Sequence, residues 1–183
     1  MARSIIADTT IMETTMDQDD TTIRETAARI ARLLVERKET VAVSESSAGG
    51  LISAALLAVP GASAYFFGGA VVYTPKARDA LLRISTRQMV ESGIRSASEP
   101  WAALMASTIR QSHGATWGLS ETGATGPTGN RYGDAAGHAC VGLDGPLSRV
   151  RTIATGSADR LANMHAFAAA ALGLFEEALE GRA

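Results

Sequence analysis

Hydrophobic and polar positions change period several times along this chain, and the changes divide it into short strands and amphipathic helices. Ile23, Ala27, Ile30, Leu33 and Leu34 recur at helical spacing behind Thr22-Ile23-Arg24-Glu25, which has the spacing of a capping box. A first helix is therefore expected from Thr22 to about Arg37. Val41-Ala42-Val43 reads as a short buried strand, and the apolar run Leu51 to Leu57 as a helix. Val59-Pro60-Gly61-Ala62-Ser63 breaks the pattern as a turn. Ala64 to Tyr73 is aromatic and β-branched enough for a second strand, with Gly68-Gly69 marking a bulge or a close backbone approach. Helices are expected from Pro75 through Leu82 and from Ser98-Glu99-Pro100 to about Ser112. Ala115 to Ser120, Gly137 to Leu143 and Val150 to Ala154 read as strands, the last two joined by a turn at Asp144-Gly145-Pro146. Ser157 is expected to cap a final helix in which Leu161, Met164, Ala168, Leu172, Phe175 and Leu179 repeat at helical spacing. Strands interleaved with helices define an α/β protein.

Residues 1–20 stand apart, because short apolar pairs alternate there with Thr and Asp without a sustained period. They read as a loose N-terminal arm, disordered or laid on a neighbouring subunit, ahead of one domain over 21–183.

Composition changes this picture only by exclusion. A formal net charge of −2 offers no basic stripe for nucleic acid. Lys38 and Lys76 are the only lysines, so arginine carries the positive charge. No apolar run reaches membrane-spanning length and the first residues lack a basic-then-apolar signal pattern, so a cytoplasmic protein without membrane or nucleic-acid partners is expected. The single Cys140 is expected to pack in a strand. His113, His138 and His165 have no metal-ligand spacing, and neither metal nor cofactor is expected.

Two loops carry the candidate chemistry. Ser44-Glu45-Ser46-Ser47-Ala48-Gly49-Gly50 joins the first strand to a helix. In an α/β sheet such turns lie where ligands collect, and new-helix N–H groups face the ligand. Gly49 and Gly50 permit close backbone approach, while Ser46 and Ser47 bring hydroxyls. The turn is either an anion cradle with a nucleophile or a serine-capped helix whose glycines only pack. The second loop, Glu121 to Asp134, is rich in glycine and threonine and long for a compact domain. Its Arg131 suits a phosphate or carboxylate held in bidentate fashion. Neither loop is a Walker or dinucleotide motif.

Four segments, in order, resemble one family. They are Glu45-Ser46 followed by Gly49-Gly50; Pro60-Gly61 and Ser63 ahead of an aromatic strand ending at Tyr73; Ala97-Ser98-Glu99 with Met105-Ala106; and Thr122-Gly123 with Gly126-Pro127 and Gly129. Together they are similar to the C-terminal domain of the competence/damage-inducible protein CinA, whose stand-alone form is a nicotinamide-nucleotide amidase. The resemblance runs from about residue 22 to the end. It implies a three-layer α/β/α sandwich with a mostly parallel or mixed central sheet, and often a homo-oligomer. It also implies a metal-independent serine amidohydrolase converting nicotinamide mononucleotide to nicotinate mononucleotide and ammonia. By position, the nucleophilic serine falls on Ser46, the strand-end tyrosine on Tyr73, and the nucleotide-lining loop on Thr122, Gly123, Gly126 and Pro127.

The chain departs from that pattern where the base should be. The family's catalytic lysine falls on Arg78, and arginine keeps its proton in any protein environment. Lys76 is the nearest lysine, two residues earlier and about 200° around a helix axis. A family Lys-Pro-Val-Gly becomes Asp134-Ala135-Ala136-Gly137, which exchanges a positive for a negative charge, with Arg131 placed to compensate. Arg160 is retained. Three readings follow: a deamidase with a rearranged base, a protein that turns over or merely binds another nucleotide or small anion, and an interaction module whose glycine turns are structural.

Overall fold

The structure is a computed structural model that describes the backbone of residues 6–181 and the side chains of residues 20–181. Its element order is α1 (Ile6–Arg37), β1 (Val41–Glu45), α2 (Leu51–Leu57), β2 (Phe66–Val71), α3 (Pro75–Leu82), α4 (Thr86–Ser92), α5 (Glu99–His113), β3 (Trp117–Ala124), β4 (His138–Asp144), β5 (Arg149–Ala154) and α6 (Arg160–Leu179). The five strands form one mixed sheet in the order β2-β1-β3-β4-β5. β1 pairs in parallel with β2 and β3, whereas β4 runs antiparallel to both β3 and β5.

Alternation along the central strands assigns each side chain to a layer. Val41 and Val43 of β1 and Trp117 and Leu119 of β3 face the core built by α1, α2 and α6, against Ile30, Leu34, Ile52, Leu56 and Phe175. Ala42 faces the opposite core, where α5 presents Trp101, Met105 and Ile109, with Leu82 of α3 and Met89 of α4 beside them. Covered on both faces, every residue of β1 is buried. The fold is thus the expected α/β/α arrangement, in its mixed-sheet form. Among the described residues no helix is long and apolar enough to cross a membrane.

Several local expectations need correction. The first helix starts at Ile6 and passes straight through Thr22, so no cap forms there. Residues 1–5 of the expected arm lie outside the described residues. Glu121 to Ala124 are not loop but the second half of β3, paired across to Val141, Cys140, Ala139 and His138 of β4. Asp159, not Ser157, caps α6 through a hydrogen bond from the Ala162 N–H. The expected second strand begins two residues late, because Ala62–Ala64 form a turn of 3-10 helix. Its bulge is present: Val41 pairs with Phe66 but Ala42 with Gly68.

Candidate functional site

The carboxyl ends of the three parallel strands meet at one edge of the sheet, where the chain leaves β1 for neighbours on either side. This is where open α/β sheets bind ligands. A cavity of about 310 Å³ opens there. Ser46 follows β1, Tyr73 follows β2, Thr122 and Gly123 lie late in β3, and all four line it. Arg78 from α3, Trp101 from α5, and Asn130, Arg131 and Tyr132 of the long loop complete its lining.

The Ser46 turn is shaped by two buried carboxylates. Glu45 continues the face of Val41 and Val43, and Glu121 that of Trp117 and Leu119, so both enter the α2 layer as neighbours on adjacent parallel strands. Glu45 accepts from the backbone N–H groups of Gly50, Ile52 and Ser53 at 2.9, 3.1 and 3.0 Å, and from the Ser53 hydroxyl at 2.6 Å. It caps α2 in place of any N-cap side chain. Glu121 accepts from the N–H groups of Ser46 and Ala48 at 3.0 and 2.8 Å and from the Ser47 hydroxyl. Complete burial pushes the Glu121 carboxyl up, against the lowering pull of those donors. The expected anion cradle is therefore occupied, by the protein's own carboxylates. Gly49 and Gly50, at φ +69° and +107°, turn the backbone around them.

This assigns the sequence candidates to two groups. Ser46, Tyr73, Arg78, Thr122, Gly123 and Arg131 come together around the cavity. Ser47, Gly49, Gly50 and Gly126 do not line it; the first three build the turn, and the Gly126 carbonyl accepts from Arg160. Lys76 does not line it either and is exposed. One step after Pro75 in the first turn of α3, it points away from the face that buries Arg78.

Arg78 is the most informative wall residue. Its side chain is buried, donating from Nε to the Ile84 carbonyl at 3.0 Å and from Nη2 to the Thr86 hydroxyl at 2.7 Å, with the guanidinium 5.8 Å from the Trp101 ring centroid. Among the described residues no carboxylate pairs with it. Arg131 likewise has no carboxylate partner and lies over Tyr132, donating to its hydroxyl at 2.8 Å. Burial pushes the Tyr132 phenol up, but hydrogen bonds with Ser96 and Arg131 and the charges of Arg131 and Arg78 outweigh it and leave the pKa lowered.

The negative charge introduced by Asp134 does not face the cavity. Arg95 pairs with it at 2.5 and 3.0 Å, Asn130 donates at 2.8 Å, and His138 stands 3.8 Å away. The Arg95 bond, opposed by partial desolvation and aided by Asn130 and His138, holds its carboxyl below the usual range. At the mouth, Arg160 bridges the Gly126 carbonyl at 2.9 Å and the Tyr73 hydroxyl at 3.2 Å. Ser96, Trp101, Asn130 and Tyr132 line the cavity without having been singled out from the sequence. Glu45 and Glu121 were not singled out as a pair, because the expected strands stop at Val43 and Ser120 and leave both glutamates in the following loops, whereas β1 and β3 include them. Among the described residues no three His, Cys, Asp or Glu side chains cluster as a metal site requires.

The class of protein is an α/β/α fold with a mixed sheet and an arginine-walled cavity outside its parallel strand ends. A family model of the CinA C-terminal domain matches residues 23–179, and the chain belongs to that family. A CinA-like protein of Desulfosudis oleivorans is 41% identical over 119 residues, covering 65% of this chain and 28% of the relative. Another, of Desulforapulum autotrophicum, is 35% identical over 145 residues, covering 79% and 34%. The chain thus spans about a third or less of the length of these relatives. Among solved structures, the competence/damage inducible protein CihA of Agrobacterium tumefaciens superposes with a TM-score of 0.78 at 27% identity, covering 87% of this chain and 96% of that one. The competence or damage-inducible protein of Enterobacter asburiae gives 0.79 at 25%, covering 86% and 98%.

Proposed function

We propose that the cavity binds a phosphorylated pyridine nucleotide through Arg78 and Arg131, and that this chain is a nucleotide-binding relative of the nicotinamide-nucleotide amidases with an altered hydrolytic step. The observation that carries the reading is Arg78, a buried cation on the cavity wall with no carboxylate partner. A buried charge without a counter-charge is costly, and an entering anion recovers part of that cost through charge-assisted hydrogen bonds. Thr122, Asn130 and the Tyr73 hydroxyl supply neutral polar groups that suit a ribose or an amide.

The deamidase reading is supported by Ser46 and Tyr73 on the cavity wall. In that chemistry its hydroxyl attacks the amide carbon, the amine leaves as ammonia, and water then cleaves the acyl ester. A base must take the serine proton. Arg78 stays protonated and Lys76 is outside the cavity, so neither accepts it.

Equilibrium unfolding of the full chain with nicotinamide mononucleotide, beside an ammonia assay, tests the reading. Stabilisation rising to about 2.7 kcal/mol at 100 times the dissociation constant, without ammonia release, supports it. Ammonia release that Ser46→Ala abolishes supports the deamidase instead. The absence of both stabilisation and ammonia release contradicts both readings.

A further inference from the structure

Another cavity, of about 230 Å³, adjoins the first, and the two share Pro75, Arg78, Ser96, Arg131 and Tyr132 as a common wall. Their other linings differ in balance. The first compartment adds the polar side chains Ser46, Tyr73, Thr74, Thr122 and Asn130 beside Val72, Ala97 and Trp101, whereas the second adds the aliphatic Met89 and Val90 of α4 and Ile94 just beyond it, with Thr86 its one neutral polar addition. Val90 is 76% exposed, a large aliphatic side chain left open to solvent at that rim. Arg95 also reaches the second compartment, but Asp134 already neutralises it. Of the described cations that line these two compartments, Arg78 and Arg131 have no carboxylate partner, and both are on the shared wall.

That arrangement fixes where a ligand carries its charge. A mononucleotide has its phosphate at one end, so bound against the shared wall it fills only one compartment. A ligand with its anionic group in the middle places an organic half on each side. The polar compartment suits a ribose and an amide-bearing ring, and the apolar one suits a second, flat ring resting on Met89, Val90 and Ile94 beside the Tyr132 face. Small-molecule sites usually enclose about 300 to 1,000 Å³. At 310 Å³ the first compartment only reaches that range and at 230 Å³ the second falls below it, so the joined pair is the better match to a larger ligand.

We infer that, if the cavity is the anion site proposed above, its ligand class is a pyrophosphate-bridged dinucleotide, with the bridge at Arg78 and Arg131 and the second base against Met89, Val90 and Ile94. Calorimetric titration of the full chain with oxidised nicotinamide adenine dinucleotide and, separately, nicotinamide mononucleotide tests this. The dinucleotide is expected to bind at least tenfold tighter. Val90→Asn, an exposed position whose change leaves the fold intact, and Ile94→Ser should each remove most of that advantage while changing mononucleotide affinity less than twofold. Equal affinity for the two nucleotides in the wild type, or an advantage that survives both substitutions, overturns the inference and leaves the anion site standing. Failure of both nucleotides to bind overturns the anion site, and this inference with it.

Discussion

The Glu121 carboxylate accepts the backbone N–H of Ser46 at 3.0 Å, joining positions 75 apart in the sequence at the heart of the site. The same carboxylate takes the Ala48 N–H and the Ser47 hydroxyl, so the conformation of the Ser46 turn depends on one side chain delivered by β3. Glu121→Ala leaves these donors buried without an acceptor. At about 1 to 3 kcal/mol for each unsatisfied group, a loss of at least 3 kcal/mol is expected in urea unfolding. Glu121→Gln keeps an acceptor and should cost less than half as much.

Titration gives Glu121 a second signature. Its folded pKa is raised above the ordinary 4.5, so the native state binds this proton more tightly than the unfolded chain does. Its contribution is fully present below pH 4.5 and is lost as pH rises through the folded pKa. The stability of the wild type relative to Glu121→Gln should therefore be greatest in acid and decline as pH rises. A difference that grows with pH would contradict the burial argument.

Much of this architecture was legible in the sequence, for reasons that also explain the omissions. Val41-Ala42-Val43 and the α6 repeat Leu172, Phe175 and Leu179 are buried on periods that match their elements, and periodicity found them. Helix α4 escaped because only Met89 is buried in it; the Ser85 and Gln88 capping box was its one local signal. Glu121 to Ala124 read as loop because Glu-Thr-Gly-Ala has loop composition, and pairing with β4 overrides it. At the site, the serine turn, Tyr73 and Arg131 were visible as residue types. The occupation of the turn's N–H groups was not, because it depends on the register between β1 and β3.

Arg95 and Asp134 make a second test. Arg95→Ala leaves the Asp134 carboxylate beside the arginine-walled cavity with Asn130 and His138 but without its arginine, so nucleotide affinity should fall severalfold, with the deficit shrinking as salt screens the repulsion. The folded pKa of Asp134 is held below the ordinary 3.8, so its stabilising contribution is present above pH 3.8 and lost as pH falls through the folded value. Acid titration of stability should show this loss in the wild type and much less of it in Arg95→Ala. Identical acid limbs would place the depression elsewhere.

Gly118 connects packing to the site. A Cβ there would stand 2.0 Å from the Ala106 carbonyl oxygen, a backbone atom of α5. Gly118→Ala must push α5 from β3, at about 1 to 3 kcal/mol or more. Because the displaced strand carries Glu121 three residues later, nucleotide affinity should weaken together with stability. Unfolding midpoint and calorimetric affinity, measured on the same variant, check the coupling.

The central claim is that Arg78 holds the anionic group of a nucleotide. Its most direct test is a double-mutant cycle between that side chain and the phosphate: affinities of nicotinamide mononucleotide and nicotinamide riboside for the wild type and for Arg78→Met. The claim predicts that removing the phosphate costs the wild type at least tenfold more than it costs the variant, in which Arg131 alone faces the phosphate, a coupling of about 1.4 kcal/mol or more. Loss of the phosphate by the same factor in both proteins would contradict it.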